Sequence, residues 1–279
     1  MNVQPHAHGF GACITGVDLT APLSEQQTET IRTAWLDHQV IYFPHQPLSI
    51  TDLERFTLSF GAFGNDPYVV PIDGHPNVLE IRREPRENAS PFGSSWHSDW
   101  SFLPAPPSAT ILHARELPPY GGDTLYADGY RAFEALDPAT QRRLRSLKAV
   151  HSARRPYSHQ GFEAGGGRAR SMKIVPSDKA MQTQRHPLVR THPETGREAL
   201  WVNRVYTVDI EGLAHGEANA LIKSLCDHAE SEEFLYRHRW GPNMLTMWDN
   251  RSVQHCAQGG YDGHRRIMYR TTVAGDAPV

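Results

Sequence analysis

Apolar and polar positions follow two different periods along this chain. Residues 11–19 read as a short strand, and Ser24 followed three positions later by Gln27 is a capping-box signal that opens a helix ending near His38. Val40-Ile41-Tyr42-Phe43 is β-branched and aromatic, which predicts a buried strand, and residues 51–56 open a second helix. From Val78 onward short strands dominate. They are expected at 78–81, around His97, and at 110–115, 124–127, 148–151, 188–192, 199–203, 244–248 and 267–273, with helical insertions at 129–147 and 216–230. Many short strands with Gly/Pro turns predict a mainly β fold, a sandwich or barrel, with helical insertions. The segment 154–184 is polar, contains Gly165-Gly166-Gly167 and shows no clear period, the pattern of an active-site lid.

Composition narrows the class without naming a chemistry. The chain has 279 residues, 39% hydrophobic and 21% charged, with a net charge of −3, so nothing marks it for nucleic acid or an anionic membrane. A single domain over 1–279 is expected, because sandwiches and barrels reach about 250 residues as one unit. Cys13, Cys226 and Cys256 are too scattered for a disulfide framework and form no Cys-x-x-Cys pair, which fits a reducing cytoplasm. The N-terminus has no basic and apolar leader pattern, and no apolar run approaches the roughly 18 residues of a membrane span.

Candidate chemistry begins at His97-Ser98-Asp99, within Ser95-Trp96-His97-Ser98-Asp99-Trp100. On a strand, positions i and i+2 share a face, so the imidazole and the carboxylate would aim at one point. A His and a carboxylate are two of the three ligands of a non-haem iron facial triad. The pattern alone decides little, since the 16 histidines also give His192-Pro193-Glu194, His215-Gly216-Glu217 and His228-Ala229-Glu230. The first of these sits in a turn signature and the others in or beside a helical stretch, where i and i+2 diverge. His255, after the turn formers Asp249-Asn250-Arg251, is the natural third ligand.

The last strand carries Arg266 and Arg270 on one face with Met268 and Thr272, opposite Ile267, Tyr269, Thr271 and Val273. Alternation leaves open whether the arginines face solvent or the interior. An interior arginine requires a carboxylate or similar anion, and guanidinium suits a dicarboxylate ligand.

Gly16-Val17-Asp18-Leu19, Trp96-His97-Ser98-Asp99, Leu117 to Thr124 through Gly121-Gly122-Asp123, Arg190 to Gly196, Trp248-Asp249-Asn250-Arg251 with His255, and Arg266 to Arg270 occur in that order. In this set the chain resembles the TauD/TfdA family, the iron(II)- and 2-oxoglutarate-dependent oxygenases that act on taurine and 2,4-dichlorophenoxyacetate. The resemblance spans nearly the whole chain. It implies a double-stranded β-helix, or jelly roll, with iron held by His97, Asp99 and His255. It also implies that Thr124 and Arg266 bind the distal carboxylate of 2-oxoglutarate, and that Arg270 serves the cosubstrate's other end and the substrate's anionic group. Succinate and carbon dioxide would be the coproducts. Halogenating relatives lack the carboxylate, so Asp99 favours hydroxylation.

The taurine-contacting positions do not match, because Phe63-Gly64-Asn65-Asp66-Pro67-Tyr68 and Gly93-Ser94-Ser95 stand where that enzyme has His, Tyr and Asn. A different small carboxylate, sulfonate, sulfate ester or aryloxy acid is therefore expected. Tyr68, Trp100, Phe102, Arg154 and Tyr157 are candidates for contacting it, and a dimer or tetramer is expected from the family. A zinc hydrolase using the same three ligands and a non-catalytic jelly-roll binder are the alternatives.

Overall fold

The computed structural model describes the backbone of all 279 residues and every side chain except those of His8 and Arg168. The chain opens with β1 (Asn2–Pro5), β2 (Ala12–Thr15), α1 (Glu25–His38), β3 (Val40–Phe43) and α2 (Ile50–Leu58). Capping boxes formed by Ser24 with Gln27 and by Ser49 with Asp52 start the two helices, where each serine hydroxyl accepts an otherwise unpaired backbone N–H. There follow β4 (Pro71–Ile72), β5 (His75–Arg83), β6 (Ala109–Glu116) and β7 (Thr124–Asp128), then α3 (Gly129–Glu134), α4 (Pro138–Arg145) and β8 (Lys148–Ser152). The 129–147 insertion is thus two helices, because Asp137 caps α4 and Pro138 starts it.

The segment expected to be a lid holds α5 (Arg154–Tyr157) and α6 (His159–Ala164) and runs into β9 (Thr183–Pro187). The remainder is β10 (Val189–Thr191), β11 (Glu198–Leu200), β12 (Thr207–Ile210), α7 (His215–Ala229), β13 (Leu235–His238), β14 (Leu245–Asp249), β15 (Val253–Ala257) and β16 (Arg266–Val273).

Eight strands form one sheet in the order β1-β2-β3-β14-β6-β16-β5-β4, and a three-stranded sheet has the order β13-β7-β15. One hydrophobic cluster draws on both, joining Leu79, Ile81, Leu112, Met268 and Trp248 of the large sheet to Tyr126 and Val253 of the small one. The opposite face of the large sheet packs Ile41, Ile111, Leu245 and Val273 against Ile31, Trp35, Leu53 and Phe56 of α1 and α2. Both faces of β16 are therefore covered. Arg266 and Arg270 lie on the inner face with Met268, and their exposures of 6% and 3% resolve the ambiguity of the alternating pattern in favour of the interior.

One expectation is corrected here. His97 does not belong to a regular strand. It makes a single bridge to His255 on β15, and Asp99 already lies in the turn that follows. Trp100, next in sequence, has a φ of 49°, a left-handed conformation costing roughly 1–2 kcal/mol for a bulky residue. Its burial within the aromatic cluster holds it there.

Candidate active site

The bridge between His97 and His255 builds the site. His97 N–H donates to the His255 carbonyl at 3.1 Å and His255 N–H donates to the His97 carbonyl at 2.8 Å, a reciprocal pair that sets the two rings side by side with centroids 4.2 Å apart. Asp99 turns in below them. Its Oδ1 is 3.6 Å from His97 Nε2 and its Oδ2 is 3.9 Å from His255 Nε2, too long for hydrogen bonds and suited to three donors around one ion. Ligand atoms of the three side chains all lie within 4.8 Å of one another, the one such cluster of His, Cys, Asp and Glu among the described residues.

Protonation states suit a metal. His97 Nδ1 donates to the Ser95 carbonyl at 2.7 Å, which leaves the Nε2 lone pair facing Asp99. Burial lowers the pKa of His97, and burial together with His97 takes His255 down to about 3, so both rings are neutral at physiological pH. Burial alone would raise the pKa of Asp99. Arg270, His255, His97 and the Thr110 hydroxyl outweigh it and hold the carboxyl at about 2. The carboxylate is also oriented from behind, since Thr110 Oγ1 donates to Oδ2 at 2.6 Å and accepts from Asn250 Nδ2 at 2.9 Å, while Trp248 Nε1 donates to Asn250 Oδ1 at 3.0 Å.

Beside the three ligands a cavity of about 450 Å³, measured to its open mouth, is lined by Ile81, Leu112, Thr124, Trp248, Arg266 and Arg270 among others. Arg266 is its unusual member. Its guanidinium has a single hydrogen bond, Nη2 to the Gly122 carbonyl at 3.3 Å, its Nε has no partner, and no carboxylate lies within 4.0 Å among the described residues. Burial pulls its pKa down. Gly122 makes room for it, for at a φ of 72° a Cβ there would lie 3.2 Å from Arg266 Nε. Thr124 Oγ1 accepts from Trp240 Nε1 at 3.1 Å, so its own hydrogen remains available to donate. A buried cation without a counter-charge costs several kcal/mol, and the arrangement is complementary to an anion entering the cavity.

Arg270 differs. Its Nη1 donates to Asp66 Oδ1 at 3.2 Å, its Nη2 forms an ion pair with Asp99 Oδ1 at 3.1 Å, and its guanidinium stacks over Trp100 at 4.8 Å. Asp66 also accepts from Trp100 Nε1 and, at 3.1 Å, from Thr272 Oγ1.

A second, larger cavity shares His97 and Asp99 with the first. Trp100, Tyr157 and Tyr206 line it with Phe92, Phe162 and Arg170.

The family model for taurine catabolism dioxygenases, the TauD/TfdA family, matches residues 2–272. The chain belongs to this dioxygenase family. It is 31% identical over 280 residues to the α-ketoglutarate-dependent sulfate ester dioxygenase of Pseudomonas putida, covering 100% of this chain and 91% of that one. With the α-ketoglutarate-dependent 2,4-dichlorophenoxyacetate dioxygenase of Cupriavidus pinatubonensis it shares 30% identity over 287 residues, 97% of this chain and 96% of the relative. The crystal structure of a taurine dioxygenase from Burkholderia xenovorans superposes with a TM-score of 0.82 at 32% identity, covering 100% of this chain and 90% of the other. As a TauD/TfdA dioxygenase the chain is an oxidoreductase, and no helix among the described residues is long and apolar enough to cross a membrane.

Within this TauD/TfdA chain the residues singled out from sequence fall into three groups. His97, Asp99, His255, Thr124, Arg266 and Arg270 converge on one cavity. Trp100 and Tyr157 line the larger one, while Tyr68 and Phe102 stand behind its wall, Tyr68 stacked on Tyr157 with centroids 4.7 Å apart and Phe102 edge-on to Tyr206 at 4.9 Å. Arg154 is exposed and lines neither cavity. Its neighbour Arg155 does, and its Nη1 donates to the Thr207 carbonyl at 2.9 Å. Sequence reading missed Thr110, Asn250, Tyr206 and Arg170. Asn250 lies in a quoted motif, but the other three are single polar or aromatic residues with no local signature.

Proposed function

We propose that this protein is an iron(II)- and 2-oxoglutarate-dependent dioxygenase that hydroxylates a small anionic organic compound, with His97, Asp99 and His255 as the metal ligands. The observation that carries the reading is a buried Arg266 without a counter-ion beside a two-histidine, one-carboxylate cluster. Bound iron(II) supplies the redox chemistry that couples decarboxylation of 2-oxoglutarate, giving succinate and carbon dioxide, to transfer of an oxygen atom onto a C–H bond. The ligand set leaves room for a chelating cosubstrate on the cavity side. There Arg266 receives the distal carboxylate and Thr124 donates its hydroxyl hydrogen to the same group. A zinc hydrolase has no use for such an anion anchor.

The two sheets supply the layers of a jelly roll in a single domain, and the cavity lies between them. Trp100, Tyr157 and Tyr206 form an apolar wall that excludes water from the reacting carbon. The segment 154–184 carries Tyr157 and Arg170 into the cavity and acts as its lid. Relatives named for sulfate esters and an aryloxy acid support an anionic substrate, and by the family resemblance Gly93 stands where the taurine enzyme carries an amide.

Calorimetric titration of 2-oxoglutarate into the manganese(II)-loaded protein tests the reading. Saturable one-to-one binding in the wild type and its loss in Arg266→Ala are expected. No binding in the wild type overturns the cosubstrate assignment.

A further inference from the structure

Arg270 is the family arginine expected to meet the substrate's anionic group, yet here its charge is already balanced. Asp66 and Asp99 occupy its two Nη atoms at 3.2 and 3.1 Å, and Asp66 is itself held by the Trp100 indole and the Thr272 hydroxyl. The pairing with Asp66 alone leaves Arg270 no net positive charge to offer a substrate anion. The cationic side chains around the larger cavity differ in how far they are already paired. Arg204 pairs with Glu230 at 2.7 Å and with Asp227 at 2.7 Å. Arg155 is exposed and commits Nη1 to backbone carbonyls. Arg170 is different. It is half-buried in the cavity lining and has no carboxylate within 4.0 Å among the described residues. Its one hydrogen bond, from Nη1 to the Ser90 carbonyl at 2.6 Å, leaves Nε and Nη2 unused. Nearby Glu87 turns its Oε2 to Ser171 N and Oγ at 2.9 and 2.7 Å and acts on Arg170 only through space, partly opposing the effect of burial.

We propose that the substrate's anionic head docks on Arg170 in the lid, and that Asp66 displaces this task from Arg270. The substrate class is then an organic monoanion, a sulfate ester or a carboxylate, whose apolar body lies along Phe92, Tyr157, Phe162 and Tyr206 toward His97 and Asp99. Guanidinium fits either head group through two parallel N–H donors, and the Ser90 carbonyl fixes the plane in which they point. Burial lowers the pKa of Arg170, as expected for a cation that awaits its partner. Binding of the head group on the lid itself would draw 154–184 onto the body of the protein as the reacting carbon is delivered.

The inference rests on the anionic-substrate part of the proposed function but is tested without turnover. Hexyl sulfate, hexanoate and hexanol are titrated into the metal-free full-length protein and followed by calorimetry, with Arg170→Gln, Arg170→Lys and Arg270→Gln in parallel. Expected are saturable binding of at least one anion by the wild type, a loss of tenfold or more in Arg170→Gln, partial recovery in Arg170→Lys, and unchanged weak binding of hexanol. Whichever of sulfate ester and carboxylate binds more tightly identifies the head group. Equal anion affinity in Arg170→Gln overturns the proposal, as does loss confined to Arg270→Gln, and so does a wild type that binds neither anion. The 2-oxoglutarate titration reports separately on the dioxygenase reading, so a failure here with that binding intact falls on the Arg170 subsite alone.

Discussion

Thr110 Oγ1 donates to Oδ2 of Asp99 at 2.6 Å, so a side chain of β6 aims a carboxylate that belongs to a turn eleven residues earlier. Thr110→Val keeps the shape and removes the donor. Loss of such orienting bonds typically weakens metal binding by about 10–100-fold. Titration of manganese(II) into the variant should show this, with the fold retained by circular dichroism. Undiminished affinity would mean that the turn alone positions Asp99.

Arg266→Met separates stability from binding. The wild type holds an uncompensated cation in the interior, so the apolar replacement should leave the melting temperature of the ligand-free protein unchanged or raise it. It should also abolish the further rise that 2-oxoglutarate gives the metal-loaded wild type, which follows from mass action on the folded state. A variant that melts lower and still responds to 2-oxoglutarate would place the cosubstrate elsewhere.

Gly122→Ala tests the close approach beneath Arg266. A left-handed alanine costs on the order of 1 kcal/mol, and its methyl would press on Nε at 3.2 Å. Weaker 2-oxoglutarate binding with unchanged manganese(II) affinity is expected. Equal losses of both would indicate a general collapse of the β6–β7 connection.

Buried histidines that are not metal ligands should add to the acid sensitivity of the fold. Burial pushes His186 down to about 4 and His238 down to about 3, against an ordinary value of 6.5. Between pH 6.5 and about 4 the unfolded chain therefore binds protons that the folded chain refuses. Stability is fully present above pH 6.5 and falls as the pH drops, by up to about 1.4 kcal/mol per pH unit for each such group. Chemical denaturation from pH 7 to 4 should show this slope, and His238→Gln should reduce it.

Much of the architecture was legible because its signals are local. Ser24 with Gln27 states where a helix begins, and Val40 to Phe43 states a buried strand. The metal cluster was legible through spacing and resemblance together, although the strand geometry assumed for His97 gave way to a single bridge. What was hidden depends on partners distant in sequence. Thr110 looks like any strand threonine until Asp99 turns toward it. Val253-Gln254-His255-Cys256-Ala257 looks like a loop until it pairs with β7. Arg270 reads as a free cation until Asp66 reaches it from a segment with no period of its own.

More than half of the chain lies between His97 and His255, which the backbone bridge brings together. An ion shared by those two rings and Asp99 would thus close a very long loop, fastening the early part of the sheet system to the last. It would act as a removable clasp on the tertiary structure as well as a reagent. Chelation would then loosen the whole assembly, and neither part of a chain divided between the two histidines would carry a complete site.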